Sequence, residues 1–291
     1  MVNKLKNIWR TKVGLKQLIA CMIPSIVLRI IRLQKELKQL GTAEQVECKT
    51  DNLRYKRDLS LSDILNSREI EGMWFDSEKE IKKLSIPDGT GGVNPGDRRA
   101  IYYLISAIKP KSVLEIGTHI GASTIHIASA LSKTSEENAN ITTVDIADVN
   151  SRTKKPWLEY GITHSPIEMI DNLGYRSFVE FVTDTSLNYA ASCQRSFDFI
   201  FLDGDHSATT VYQEIPVALN LLNQDGVILL HDYFPNMKPL WSNGSVIPGP
   251  FLATERLQNE GVNVIVLPLG RLPWPTKLES HVTSLALLLR N

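Results

Sequence analysis

The 291 residues predict an α/β fold: a doubly wound, seven-stranded sheet, mostly parallel, with an antiparallel C-terminal hairpin. Three observations carry that expectation. Short, near-continuous apolar runs recur from Ser112 onward with helical segments between them, as in strands buried on both faces of a parallel sheet. The first run feeds a glycine turn and then a helix. The last two runs are joined by a proline-containing loop with no helical pattern between them, and so read as an antiparallel pair at the sheet edge.

The chain begins with a charge asymmetry. Residues 1–40 carry nine Lys/Arg against one Glu, while the remainder carries 23 basic against 31 acidic residues. A basic head on an acidic body suits an anionic surface; it does not suit a body that grips nucleic-acid phosphates. The longest uncharged run in the head, Gln17–Leu28, is twelve residues and contains Pro24. A bilayer-spanning helix needs about 20 apolar residues, and no small-x-small cleavage site follows Leu28. Leu18, Ile19, Met22, Ile23, Ile26, Ile30 and Leu33 share one side of a helix. The head therefore reads as an amphipathic helix, lying at a membrane surface or packed on its own domain or a second subunit.

Residues 41–90 read as a polar extension with short helical stretches, and residues 91–291 as the main domain. Ser77-x-x-Glu80 has capping-box spacing and predicts a helix start before Ile81 and Leu84. The glycine-rich stretch Asp88–Gly96 predicts a loop. Asn94 and Pro95 then fit an N-cap and first helical position, with Ile101, Leu104, Ile105 and Ile108 as the buried side of a helix running to Lys109. Predicted strands follow at Val113–Ile116, Ile141–Val144, Val179–Val182, Phe199–Leu202 and Val227–Leu230, then the pair Val262–Leu267 and Ser284–Leu289. Predicted helices lie at Ala122–Leu131, Pro166–Leu173 and Thr209–Leu222.

With 43% hydrophobic and 22% charged residues, the composition excludes wholesale disorder and collagen-like structure. The three cysteines, Cys21, Cys48 and Cys193, are too scattered for a zinc site or disulfide scaffold and read as reduced thiols in the cytoplasm.

The chemistry is concentrated after three strands. In Val113-Leu-Glu-Ile-Gly-Thr-His-Ile-Gly-Ala-Ser-Thr124, Gly117 permits a sharp turn and Gly121 a close passage at the helix start, whose free N–H groups favour an electron-rich ligand. G-x-x-x-G is not the dinucleotide G-x-G-x-x-G, and no G-K-[ST] is present. Asp145, closing the second strand, can take both ribose hydroxyls of a nucleoside held at the turn. Asp203-Gly-Asp-His206 and His231-Asp232-Tyr233 follow the fourth and fifth strands, so their acids and imidazoles converge on one crevice. Clustered carboxylates repel unless a cation or substrate separates them.

E-I-G-T-H-I-G-A-S-T, T-V-D, F-D-F-I-F-L-D-G-D-H and G-V-I-L-L-H-D together resemble class I S-adenosylmethionine-dependent methyltransferases. The likeness is to the branch of small-molecule O-methyltransferases and cephalosporin-hydroxylase-like proteins, over about residues 90–290. The resemblance implies a Rossmann-like sheet and S-adenosylmethionine as cofactor. It places Glu115, Gly117, Gly121 and Ser123 toward the amino-acid end of that cofactor, Asp145 on the ribose, and Asp184 with Thr185 at the adenine. Asp184 alternatively caps a helix beginning near Ser186.

Asp203 and Asp232 are the expected ligands of Mg2+ or another divalent cation, although Tyr233 stands where the family usually has Asn or Asp. His206, three residues after Asp203, is the expected general base toward a small-molecule hydroxyl, a sugar or glycoside among the candidates. The loop Asn150–Ser165, with Trp157 and Tyr160, is long enough for a substrate lid, and Trp241 could form the opposite wall. Transfer to an amine or carboxylate, and an inactive cofactor-binding scaffold at a membrane, remain the alternatives.

Overall fold

The computed structural model describes residues 25–44, 46–48, 60–88, 92–134, 139–277 and 279–291. Leu18, Ile19, Met22 and Ile23 of the predicted amphipathic side lie outside those residues. Four α-helices are described ahead of the sheet: α1 (Ser25–Gly41), α2 (Leu61–Leu65), α3 (Arg68–Ile81) and α4 (Pro95–Ile108). There follow β1 (Ser112–Ile116), α5 (Ala122–Thr134), β2 (Asn140–Asp145), α6 (Pro166–Asn172), β3 (Val179–Thr183), α7 (Ser186–Ser192) and β4 (Phe197–Leu202). The chain ends with α8 (Ala208–Leu221), β5 (Leu222–Leu230), α9 (Gly249–Asn259), β6 (Val264–Pro268) and β7 (Ala286–Arg290).

The seven strands lie in the order β3-β2-β1-β4-β5-β7-β6. β1 to β5 are parallel, and β7 runs antiparallel to both β5 and β6. The predicted hairpin therefore forms, with Val264 opposite Arg290 and Pro268 opposite Ala286. Strand order reverses between β1 and β4, the switch point where open α/β sheets leave a crevice at the carboxyl ends of their strands.

Alternation along the strands builds two cores. Val113, Phe199, Phe201, Val227 and Leu229 pack on one face beneath α4 and α5. Leu114, Ile116, Ile200, Leu202, Ile228 and Leu230 pack on the other beneath α8 and α9. Burying each such side chain is worth about 1.5–3 kcal/mol, which is why near-continuous apolar runs mark these strands. Ile70, Trp74 and Ile81 of α3 belong to the first core and Leu40 of α1 to the second, so both N-terminal segments pack on the main domain.

Asn94 caps α4 by accepting from the Asp97 amide at 3.0 Å, and left-handed Lys109 ends it. Ser165 and Glu168 form a reciprocal capping box on α6. Two local expectations are corrected. Ser77 does not begin a helix: α3 starts at Arg68 under the Ser67 cap, and Ser77 is buried within it, its hydroxyl 3.0 Å from the Tyr102 hydroxyl. Thr185, rather than Asp184, caps α7, accepting from the Asn188 amide. Among the described residues no helix is long and apolar enough to cross a membrane.

Candidate active site

Gly117 leaves β1 with φ +100°, and a Cβ there would lie 2.2 Å from the Asp203 carbonyl oxygen. Only glycine lets the β1 turn and the loop after β4 pass so closely. Asp145 fastens the turn from the neighbouring strand: Oδ2 accepts from the His119 amide and Oδ1 from the Ala147 amide, both at 2.8 Å. A cavity of about 550 Å3 opens above these strand ends, within the roughly 300–1,000 Å3 of small-ligand sites.

Gly117, Asp145, Asp184, Thr185, Asp203 and His206 all line that cavity. Glu115, Gly121 and Ser123 stand behind it, outside its lining. Glu115 is wholly buried, with Oε2 accepting from Thr124 at 2.5 Å and Thr143 at 2.6 Å while Oε1 has no hydrogen-bond partner. Burial, helped by the Asp203 charge and opposed by the Ser123, Thr124 and Thr143 hydroxyls, pushes its carboxyl up to about 7. The Glu115 carboxyl and its hydroxyl partners brace the turn from below.

The lining fits S-adenosylmethionine. Asp145 offers lone pairs to vicinal hydroxyls, exposed Ile146 (77%) offers an apolar surface beside it, and the buried His119 Nδ1 lacks a hydrogen-bond partner at the cavity wall. A lone histidine carries little signal in a sequence, and only its place in the turn reveals His119.

Adjacent parallel strands β4 and β5 bring the acids and histidines together. His206 Nε2 lies 3.7 Å from Asp203 Oδ1 and 3.5 Å from Asp232 Oδ2. His231 Nδ1 approaches Asp203 Oδ1 at 2.6 Å, bent away from hydrogen-bond geometry, and its Nε2 lies 3.5 Å from Asp97 Oδ2. Burial alone would push the His231 pKa down. The charges of Asp203 and Asp232, with contacts to Asp203 and Asp97, hold it well above the ordinary histidine value.

Asp97 escaped the sequence reading. In the first turn after Asn94 and Pro95 it looks like an ordinary helix-start acid, yet it is fully buried and faces His231 from α4. Ser284, which donates to Asp232 Oδ1 at 3.2 Å, was read only as part of the final strand.

Hard divalent cations take six or more oxygen ligands. Here His231 Nδ1 crowds Asp203 Oδ1 at 2.6 Å, Asp232 Oδ1 accepts from Ser284, and the His231 ring stands between the Asp97 and Asp203 carboxylates. Asp203 and Asp232 do not fit Mg2+ in this arrangement, because the His231 ring already stands against both acids. Asp203, His206 and His231 bring candidate ligand atoms within 4.8 Å of one another, but this mixed donor set is not that of a hard ion.

A second cavity, of about 940 Å3, is lined by His231, Asp232, Phe234, Trp241, Lys277 and Ser284. Gly92 borders both cavities. Trp241 thus forms a wall, with Lys277 Nζ 3.4 Å from its ring centroid. Trp157 is buried in the first core and Tyr160 packs edge-on against His119, so these two aromatics anchor the Asn150–Ser165 loop.

The strand order and the switch-point crevice are those of a Rossmann-like methyltransferase fold. Residues 114–233 match the family model described as "Methyltransferase domain". A curated relative from Mycobacterium sp. (strain JLS), named "Putative O-methyltransferase", is 24% identical over 151 residues, covering 52% of this chain and 61% of its own. A protein of the same name from Mycobacterium marinum (strain ATCC BAA-535 / M) is 25% identical over 154 residues, 53% of this chain and 61% of its own. The chain thus spans 61% of the length of these relatives.

Among solved structures, the O-methyltransferase from Bacillus cereus in complex with SAH aligns with a TM-score of 0.51 at 18% identity, covering 79% of this chain and 95% of that one. The O-methyltransferase TomG from Streptomyces achromogenes, involved in tomaymycin synthesis and solved with SAM, aligns at 0.50 and 15% identity, covering 84% and 100%. At such identities the likeness speaks for the fold.

Proposed function

We propose that the protein transfers the methyl group of S-adenosylmethionine to a hydroxyl of a small molecule, with His206 as general base. One observation carries this reading. His206 lines the smaller cavity, and its Nε2 lies 3.5 Å from Asp232, which lines the larger. A proton acceptor therefore stands where the two cavities approach each other.

The bound cofactor would supply an electrophilic methyl on a sulfonium sulfur. Asp145 would hold its ribose hydroxyls, Asp184 and Thr185 its adenine side, and the Gly117 turn its amino-acid side. His206 would take the proton of the acceptor hydroxyl as the methyl passes from the sulfonium sulfur to that oxygen, and Asp203 and Asp232 would stabilise the imidazolium that results. His231, held between Asp97 and Asp203, keeps these acids apart, and no step is assigned to a metal. Phe234 and Trp241 give the larger cavity an aromatic wall, and Asn243, Ser245 and Thr276 line it with polar groups. That lining suits a polyhydroxylated ring such as a sugar or glycoside.

The test is turnover of methyl-labelled cofactor against a panel of hydroxylated small molecules, with and without chelator. Base-stable methyl ethers, formed equally in chelator, are expected. Base-labile esters or methylamines would overturn the hydroxyl assignment, and activity lost to chelator and restored by Mg2+ would overturn the metal-free one.

A further inference from the structure

Helix α1 meets the domain along one side only. Leu33, Glu36 and Leu40 face inward, with Leu40 and Glu36 buried. Glu36 Oε2 accepts from the Ala208 amide at 2.8 Å, and Arg256 holds the end of the helix through the carbonyls of Leu40 and, at 3.2 Å, Ala43. Among the described residues nothing covers the opposite side from Val27 to Leu37. Ile30 and Ile31 are 49% and 52% exposed, and Val27, Leu28 and Leu37 are exposed with them. At 3.6 residues per turn, Val27, Ile30, Ile31 and Leu37 fall within an arc of about 120°.

The charges decide what covers this face. Arg29, Arg32, Lys35 and Lys38 are all exposed along α1. Its single acid, Glu36, is turned inward to Ala208. A second copy of the helix would set cation against cation with no outward acid to relieve them. An anionic lipid surface complements both features: headgroups meet the lysines and arginines while the aliphatic side chains enter the acyl boundary. The 17-residue helix is about 25 Å long, and its four cations make it one that lies in the interface. Residues 1–24 add five further Lys/Arg and no acid to the same end of the chain.

We propose that α1 is an interfacial helix that seats this protein on an anionic lipid surface through Val27, Ile30, Ile31 and Leu37. The full chain should sediment with vesicles of phosphatidylcholine and phosphatidylglycerol roughly tenfold more than with phosphatidylcholine alone, and release at high salt. Ile30→Asp with Ile31→Asp, at exposed positions, should abolish that binding while leaving the circular dichroism unchanged. Arg32→Glu with Lys35→Glu should do the same through charge.

Three results would overturn the proposal: equal binding to neutral vesicles or none to either, undiminished binding by the Ile30/Ile31 variant, or a dimer in light scattering that this variant dissolves. The second result would give the attraction to residues 1–24, and the third would give the face to another copy. None of these readouts depends on methyl transfer, so the proposal stands or falls apart from the activity.

Discussion

At His231 a single imidazole meets carboxylates from two elements, Asp97 on α4 and Asp203 after β4, whereas His206 lies in the cavity wall with its Nε2 3.7 Å from Asp203 and 3.5 Å from Asp232. His206→Ala should lower turnover by about 10²–10⁴-fold while calorimetry shows cofactor affinity unchanged. Asp97→Asn should lower kcat more than KM, since the amide can still fill the space but cannot balance the His231 charge. Restored turnover in Asp97→Glu would identify charge as its contribution.

Glu115 and Glu214 predict a pH dependence. Burial lifts both carboxyls to about 7, with the hydroxyls around Glu115 and the Ser186 hydroxyl on Glu214 pulling the other way. The folded protein holds these protons more tightly than the unfolded chain. The stability they lend is full below the ordinary value of 4.5 and is lost as pH rises through about 7. At ~1.4 kcal/mol per unit, each group accounts for about 3 kcal/mol over that window. The urea midpoint should therefore fall from acid to neutral pH, and Glu115→Gln with Glu214→Gln should flatten the fall.

Among the elements, legibility followed the number of buried faces. β1, β2, β4 and β5 were readable because both faces are covered, which makes their sequences near-continuously apolar. α9 was not: it opens on Gly249-Pro250, and its core contacts come chiefly from Leu252, Ala253 and Leu257, too few to stand out. Ser77 misled because Ser-x-x-Glu spacing also occurs inside a helix, and its partner Tyr102 lies on another element. Asp97 was invisible as a site residue for the same reason, its meaning residing in a histidine far along the chain. At the β1 turn the sequence was sufficient. Gly117→Ala should cost at least about 2 kcal/mol from its left-handed backbone and the clash with Asp203, measurable by denaturant unfolding.

For the molecule as a whole, the expected division at residues 40 and 90 describes composition better than packing. Trp74 of the extension and Leu40 of the basic head are both buried in the cores of the main domain. The packing alternative holds in part for α1, which packs on the domain through Leu33, Glu36 and Leu40 and leaves its other side exposed. That division sets a mechanical relation. Glu36 grips the backbone amide of Ala208, two residues beyond His206, and Gly249 presses on the His206 carbonyl so closely that a Cβ there would lie 2.0 Å away. The loop bearing His206 is clamped between α1 and α9, and α1 serves as its handle: a force that lifts the helix from the domain pulls on the Ser207–Ala208 peptide. Glu36→Gln, which weakens the grip, should lower kcat while leaving the calorimetric affinity for S-adenosylmethionine in place, because Asp145 and the Gly117 turn hang from other strands.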